Sequence, residues 1–119
     1  MMTIRSEQVV MWDCDETLVM HYEEDKILDI VCPYDGKFIA VAIHQKHVQL
    51  LKDHKARGFY NVVWSAHGFA WAEAVVKALE LEPYVDICMS KSCKFIDDLP
   101  ANEVLVNRVY LTYKPGEKS

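Results

Sequence analysis

What the chain lacks narrows its possibilities first. It has no block of Lys and Arg: 13 basic residues stand against 18 acidic ones, for a net charge of -5. That balance argues against broad binding of nucleic acid or anionic membrane through a basic face, because such binding rests on neutralising phosphates with cations. A phosphorylated substrate stays open, since a bound cation can supply the positive charge. No apolar run is long enough to span a bilayer. The opening Met1-Met2-Thr3-Ile4-Arg5-Ser6-Glu7-Gln8 is too short and polar for a signal peptide, so a cytoplasmic setting is expected. The four cysteines, Cys14, Cys32, Cys88 and Cys93, form no Cys-x-x-Cys pair and match no zinc spacing. Reduced and mostly buried thiols are expected, ahead of a metal site built from Cys88, Cys93 and His67. There is no internal repeat and no low-complexity segment.

What is there suits one domain with a real core: 119 residues, 51% hydrophobic and 26% charged. Residues 9–12 are four apolar positions in a row and read as a fully buried strand. Two β-prone runs, 27–32 and 37–43, flank Pro33-Tyr34-Asp35-Gly36 and predict a β-hairpin. It follows the acidic end of the first strand at once, which favours a flap over an edge pair of the main sheet. Residues 44–57 predict a helix closed by Gly58, and 60–64 a second buried strand ending at Ser65. Ala72, Val75, Val76 and Leu79 place one face of a helix over 69–81, stopped by Pro83. Further strands are predicted at 85–89, at 94–96 and at 108–111, with a helical turn over 100–103. Strands alternating with helices imply an α/β fold: a Rossmann-like three-layer sandwich with a mainly parallel five-stranded sheet.

A parallel sheet gathers the carboxyl ends of its strands on one edge, where ligands bind in such folds. Three predicted strands end there in reactive groups: Asp13 and Asp15, then Ser65, then Asp97 and Asp98. Two residues apart on extended backbone, Asp13 and Asp15 point roughly the same way. Their repulsion calls for a cation or a shared proton. With Asp97 and Asp98 they form an all-oxygen set suited to Mg²⁺. The plain alternative is a group of solvated loop acids. Ser65, with the N–H groups of Ala66, His67 and Gly68, can face an anion, or can simply cap a helix. Lys91, or its competitor Lys94, can counter the acids and a phosphate, or be an ordinary surface lysine. A loop histidine such as His67 is more often incidental than functional.

These residues resemble the signatures of the haloacid dehalogenase-like (HAD) superfamily. Asp13-Cys14-Asp15-Glu16-Thr17-Leu18 is similar to its Asp-x-Asp-x-Thr/Val motif, and Trp64-Ser65 after Val62-Val63 to its second motif. Lys91 matches the third and Ile96-Asp97-Asp98 the acidic fourth, in the family's order over essentially the whole chain. The resemblance implies a minimal phosphatase without a cap domain, over residues 1–119 with a flap at about 27–43. Asp13 would be the nucleophile that forms an aspartyl-phosphate, and Asp15 the general acid and then base. Thr17 would hold the loop, and Ser65, Ala66 and Lys91 would bind the phosphoryl group. Asp13, Asp15 through its backbone C=O, and Asp97 with or without Asp98 would hold Mg²⁺. Glu16 stands where many members carry Gly, and Lys91 lies only six residues before Asp97. An open site of this kind fits a phosphorylated small molecule, a phosphorylated end of a macromolecule, or a cap lent by a second copy in a homodimer.

Two other function classes compete. A phosphoacceptor receiver module needs its acceptor at the end of a middle strand, and the only central candidate, Asp53, lies in the helical Leu51-Lys52-Asp53-His54. A catalytically silent interaction domain on the same fold is the other, with Glu16 and the short Lys91 spacing in its favour.

Overall fold

The computed structural model describes residues 4–100. In chain order it holds β1 (Val9–Asp13), β2 (Val19–Met20), β3 (Leu28–Val31) and β4 (Phe38–Ile43). Then follow α1 (Gln45–Ala56), β5 (Tyr60–Ser65), α2 (Phe69–Ala78) and β6 (Ile87–Ser90). Short 3₁₀ turns lie at Ser6–Gln8 and Glu82–Tyr84. The described residues form a small α/β domain with two sheets. One is parallel, in the order β1-β5-β6; the other is antiparallel, in the order β2-β4-β3.

β5 is the middle strand of the parallel sheet and is buried along most of its length, as an apolar run covered on both faces should be. β1 departs from its expectation. Only Trp12 is buried, and Val9 is exposed, because β1 is paired on one side only among the described residues. Asn61 on β5 is fully buried and fully used. Its Oδ1 accepts the Trp12 indole N–H at 2.9 Å, and its Nδ2 donates to the carbonyls of Leu51 (3.1 Å) and Tyr84 (3.0 Å). One amide thus ties β1, α1 and the Glu82–Tyr84 turn to the sheet, where an unpaired polar group would be costly.

Both helices follow their apolar stripes. Val48 and Leu51 turn inward on α1, and Trp71, Ala72, Val75 and Val76 on α2. Each fully buried Leu or Val of this core contributes about 1.5–3 kcal/mol relative to exposure. α2 ends five residues before Pro83, not at it. Glu80 takes φ 56°, the Leu81 N–H bonds the Val76 carbonyl (2.9 Å) and the Glu80 N–H the Lys77 carbonyl (3.1 Å). This is a Schellman ending, and it drops Leu81 into the core at 0% exposure.

The hairpin forms as its turn residues predict. Leu28 pairs with Val41 and Val31 with Phe38, and Gly36 supplies φ 74° in the turn. It is not an edge pair of the main sheet: β4 also pairs with β2, and Ile30 and Val41 are buried in the core.

The five-stranded parallel sheet is only partly reproduced. Residues 94–96 form no strand; they are exposed, Ile96 at 93%, and no strand pairs with them among the described residues. Apolar sequence without a partner ladder leaves its backbone groups to water, so periodicity alone did not make a strand there. The expected strand at 108–111 and most of the turn at 100–103 lie outside the described residues.

Candidate active site

β1 and β5 run in register with Asp13 opposite Trp64, and Ser65 pairs with Ser90 at the end of β6. Parallel pairing therefore puts Asp13, Ser65 and the residue after Ser90, Lys91, on one edge. The Lys91 N–H continues the ladder by donating to the Ser65 carbonyl at 2.8 Å. Its side chain passes over the Trp64 ring, 5.9 Å from the centroid, and brings Nζ to 3.8 Å from Asp13 Oδ1. Both side chains are about 40% exposed, so this is a screened ion pair of small stabilising value, about 0–1 kcal/mol. Lys94 is exposed, and its carbonyl accepts the Ser92 hydroxyl at 3.3 Å.

The loop after β1 is wound on one carbonyl. Cys14 C=O accepts from the N–H groups of Thr17 (3.1 Å), Leu18 (2.8 Å) and Val19 (3.2 Å). Thr17 is anchored in turn by its own carbonyl, 2.6 Å from His47 Nδ1 at the start of α1. Cys14 points inward at 0% exposure; burial, then the Asp15 and Asp13 carboxylates, push its thiol pKa well up, so it stays protonated. Glu16 occupies φ 62°, the left-handed region that glycine tolerates best. Its Oε1 accepts the His21 N–H at 2.8 Å, while Oε2 is buried without a hydrogen bond among the described residues. The departure at Glu16 thus has a local cause: the turn asks for a positive φ, and the side chain compensates by capping the chain at His21.

Asp13 and Asp15 have unlike surroundings. Asp15 is 23% exposed, and its Oδ1 lies 2.7 Å from His21 Nε2 and 3.1 Å from the Trp71 indole nitrogen. His67 Nε2 stands 3.6 Å from Oδ2. Nothing in the spacing of His67, His21 or Trp71 along the chain connects them to the site. Trp71 carries the same helical spacing as the core residues around it, and only its indole N–H sets it apart.

Ser65 is buried, and its Oγ accepts the His67 N–H at 3.0 Å. The Gly68 N–H goes to the Ser65 carbonyl (3.1 Å) and the Phe69 N–H to Ser90 Oγ (3.0 Å). Of the turn's N–H groups expected to face an anion, only that of exposed Ala66 lacks a protein partner among the described residues. The hairpin tip closes on the same turn: the Tyr34 hydroxyl donates to the His67 carbonyl.

Asp97 and Asp98 are exposed, in a stretch without strand or helix. Asp97 Oδ1 accepts the Leu99 N–H at 3.0 Å, and that bond, with help from Asp98, holds its carboxyl below the usual range. Among the described residues, no three His, Cys, Asp or Glu side chains are grouped to hold a metal ion. Asp13 and the Asp15 carbonyl are hard oxygen donors of the kind Mg²⁺ takes. Among the described residues no helix is long and apolar enough to cross a membrane.

Compared with protein-family models, curated proteins and solved structures, the chain matches none.

Proposed function

We propose that the chain is a Mg²⁺-dependent phosphomonoesterase of the HAD-like type, forming an aspartyl-phosphate on Asp13. The observation that carries this reading is the pair of unlike carboxylates at the end of β1. The Asp13 side chain is 40% exposed with Lys91 3.8 Å away, while that of Asp15 is 23% exposed and bonded by His21 and Trp71. Two acids in different environments can divide the labour of nucleophile and proton carrier.

In the first step an Asp13 oxygen attacks phosphorus and the P–O bond to the leaving group breaks. Asp15 passes its proton to the departing oxygen. Water then attacks the same phosphorus and gives a proton to Asp15. The bond from phosphorus to Asp13 breaks and inorganic phosphate leaves. Lys91 and the Ala66 N–H offset charge on the phosphoryl oxygens. Mg²⁺, when bound, adds further neutralisation of that charge. Asp13 and the Asp15 carbonyl would hold it, and Asp97 or Asp98 would be the third donor. The finer fold reading belongs with this proposal. A five-stranded, three-layer sheet would add two strands to the parallel sheet, whose β1 edge has no partner among the described residues. A cytoplasmic setting, a phosphorylated small molecule or macromolecule end as substrate, and a homodimer that covers the open site complete it.

A silent interaction domain on this fold is the second reading. The observation on its side is that no three His, Cys, Asp or Glu side chains are grouped to hold a metal ion among the described residues. Turnover of an aryl phosphate, nucleotides, sugar phosphates and a 5′- or 3′-phosphorylated oligonucleotide, with and without Mg²⁺, separates the two. Wild type should hydrolyse at least one of them, and Asp13→Asn none. Activity that survives in Asp13→Asn sinks the nucleophile assignment. A folded wild type inert on the whole panel favours the silent domain.

A further inference from the structure

Asp15 is gripped by one oxygen only. Oδ1 accepts from the Trp71 indole N–H (3.1 Å), a group that can only donate, and from His21 Nε2 (2.7 Å). Neither donor is free to drift. Trp71 is 3% exposed on the inner face of α2. His21 follows β2, whose two residues are buried and paired with β4, and its N–H is tied to Glu16 at 2.8 Å. Oδ2 has no hydrogen bond among the described residues, and its ion-pair neighbour His67 stands 3.6 Å off, beyond hydrogen-bond reach.

A carboxylate with no such grip rotates about its Cβ–Cγ bond and presents either oxygen. Two donors on one oxygen stop that rotation and leave the open lone pairs on the other. We infer that His21 and Trp71 are positioning residues that clamp Asp15 through Oδ1 and so dedicate Oδ2 to proton transfer with the leaving group and the attacking water. The inference rests on the reading of Asp15 as proton carrier. It explains why a histidine outside every recognised motif, six residues from Asp15, contacts the site at all. Proton transfer from a fixed atom demands alignment, and misplacement by about 1 Å costs on the order of 100-fold.

The test uses leaving groups. An alkyl phosphate needs a proton on its departing oxygen, whereas p-nitrophenolate leaves without one. His21→Leu removes the donor; His21→Gln keeps an N–H in a side chain of similar reach. Expected for His21→Leu is a kcat on the alkyl phosphate reduced about tenfold or more beyond its loss on p-nitrophenyl phosphate, with KM for both changed by less than about threefold. His21→Gln should recover most of the difference. Should His21→Leu not fold, His21→Asn, whose amide falls short of Asp15, takes its place. Equal loss on both esters, or none, overturns the inference, because a merely structural role lowers both alike.

A second readout does not depend on turnover. The Trp71 indole N–H cross-peak in a ¹H–¹⁵N spectrum, assigned with Trp71→Phe, should shift upfield in Asp15→Ala; an unmoved peak overturns the clamp. Asp13→Asn separates the two ways to fail. If it stays active, the nucleophile reading falls and the inference with it. If it is inert while His21→Leu treats both esters alike, only the inference falls.

Discussion

Glu16 shows what a single residue has to reconcile. Its backbone sits at φ 62° because three consecutive N–H groups after it converge on the Cys14 carbonyl. An L side chain in that region costs roughly 1–2 kcal/mol, and glycine escapes the cost. The glutamate recovers part of it by accepting the His21 N–H. Glu16→Ala keeps the strain and loses the acceptor; Glu16→Gly loses the acceptor but sheds the strain. The glycine variant should therefore be the more stable of the two by about 1 kcal/mol in urea denaturation. Equal midpoints would show that φ is relaxed in solution. The same scale separates Asp13 from Asp15. As letters they are identical, and the surroundings that distinguish them come from α2, from the residue after β2 and from the residue after β6.

At the scale of elements, the turn from β5 to α2 is a tightly constrained join. Gly68 takes φ 98°, and a Cβ there would run into the Tyr34 hydroxyl at the hairpin tip. Backbone conformation asks for glycine there, whereas the hydroxyl of exposed Tyr34 can move aside at the expense of its bond to His67. Gly68→Ala should cost about 2 kcal/mol or more, measured by equilibrium unfolding. Tyr34→Phe should cost about 1 kcal/mol for the lost hydrogen bond. In the double variant the clash term disappears while the φ strain persists, so the two losses should not add. Additive losses would mean that the hairpin tip does not rest on the turn. The hairpin itself was legible from Pro33-Tyr34-Asp35-Gly36, because turn chemistry is local. Its docking on His67 was not, since residues 33 positions apart meet only through the packing of both sheets. The early end of α2 has the same origin: the helical pattern ran on past Ala78, but burial of Leu81 turned the chain.

For the whole molecule, the packing of α1 against the β1 loop makes stability depend on pH. His44 is buried at the N-terminus of α1 and stacked on His47, ring centroids 3.4 Å apart. Burial first, and then His47, lower its pKa below the ordinary value of 6.5. The unfolded chain thus binds this proton at a higher pH than the folded chain. Stability is fully present above the unfolded value and is lost as pH falls from about 6.5 through the folded value. The urea midpoint should accordingly drop between about pH 7.5 and pH 5.5. His44→Asn, which keeps a good N-cap without a titrating ring, should drop less. An unchanged slope in His44→Asn would assign the pH dependence to another group.

The sequence by itself determined the local structure: both helices on their apolar stripes, the hairpin on its turn residues, and the parallel strands on their β-branched runs. It also determined that Asp13 and Ser65 share an edge, because that follows from parallel pairing alone. Only the tertiary structure decided how those groups are dressed. It set Lys91 rather than Lys94 beside Asp13, by extending the β6 ladder one residue to the Ser65 carbonyl. It put His21 and Trp71 on Asp15, and it took up the N–H groups of His67, Gly68 and Phe69 inside the protein. It also withheld the strand at 94–96, since an apolar run becomes a strand only when a neighbour accepts its hydrogen bonds. Periodicity records which face a segment can bury, whereas contacts between distant segments depend on how all those faces are packed together.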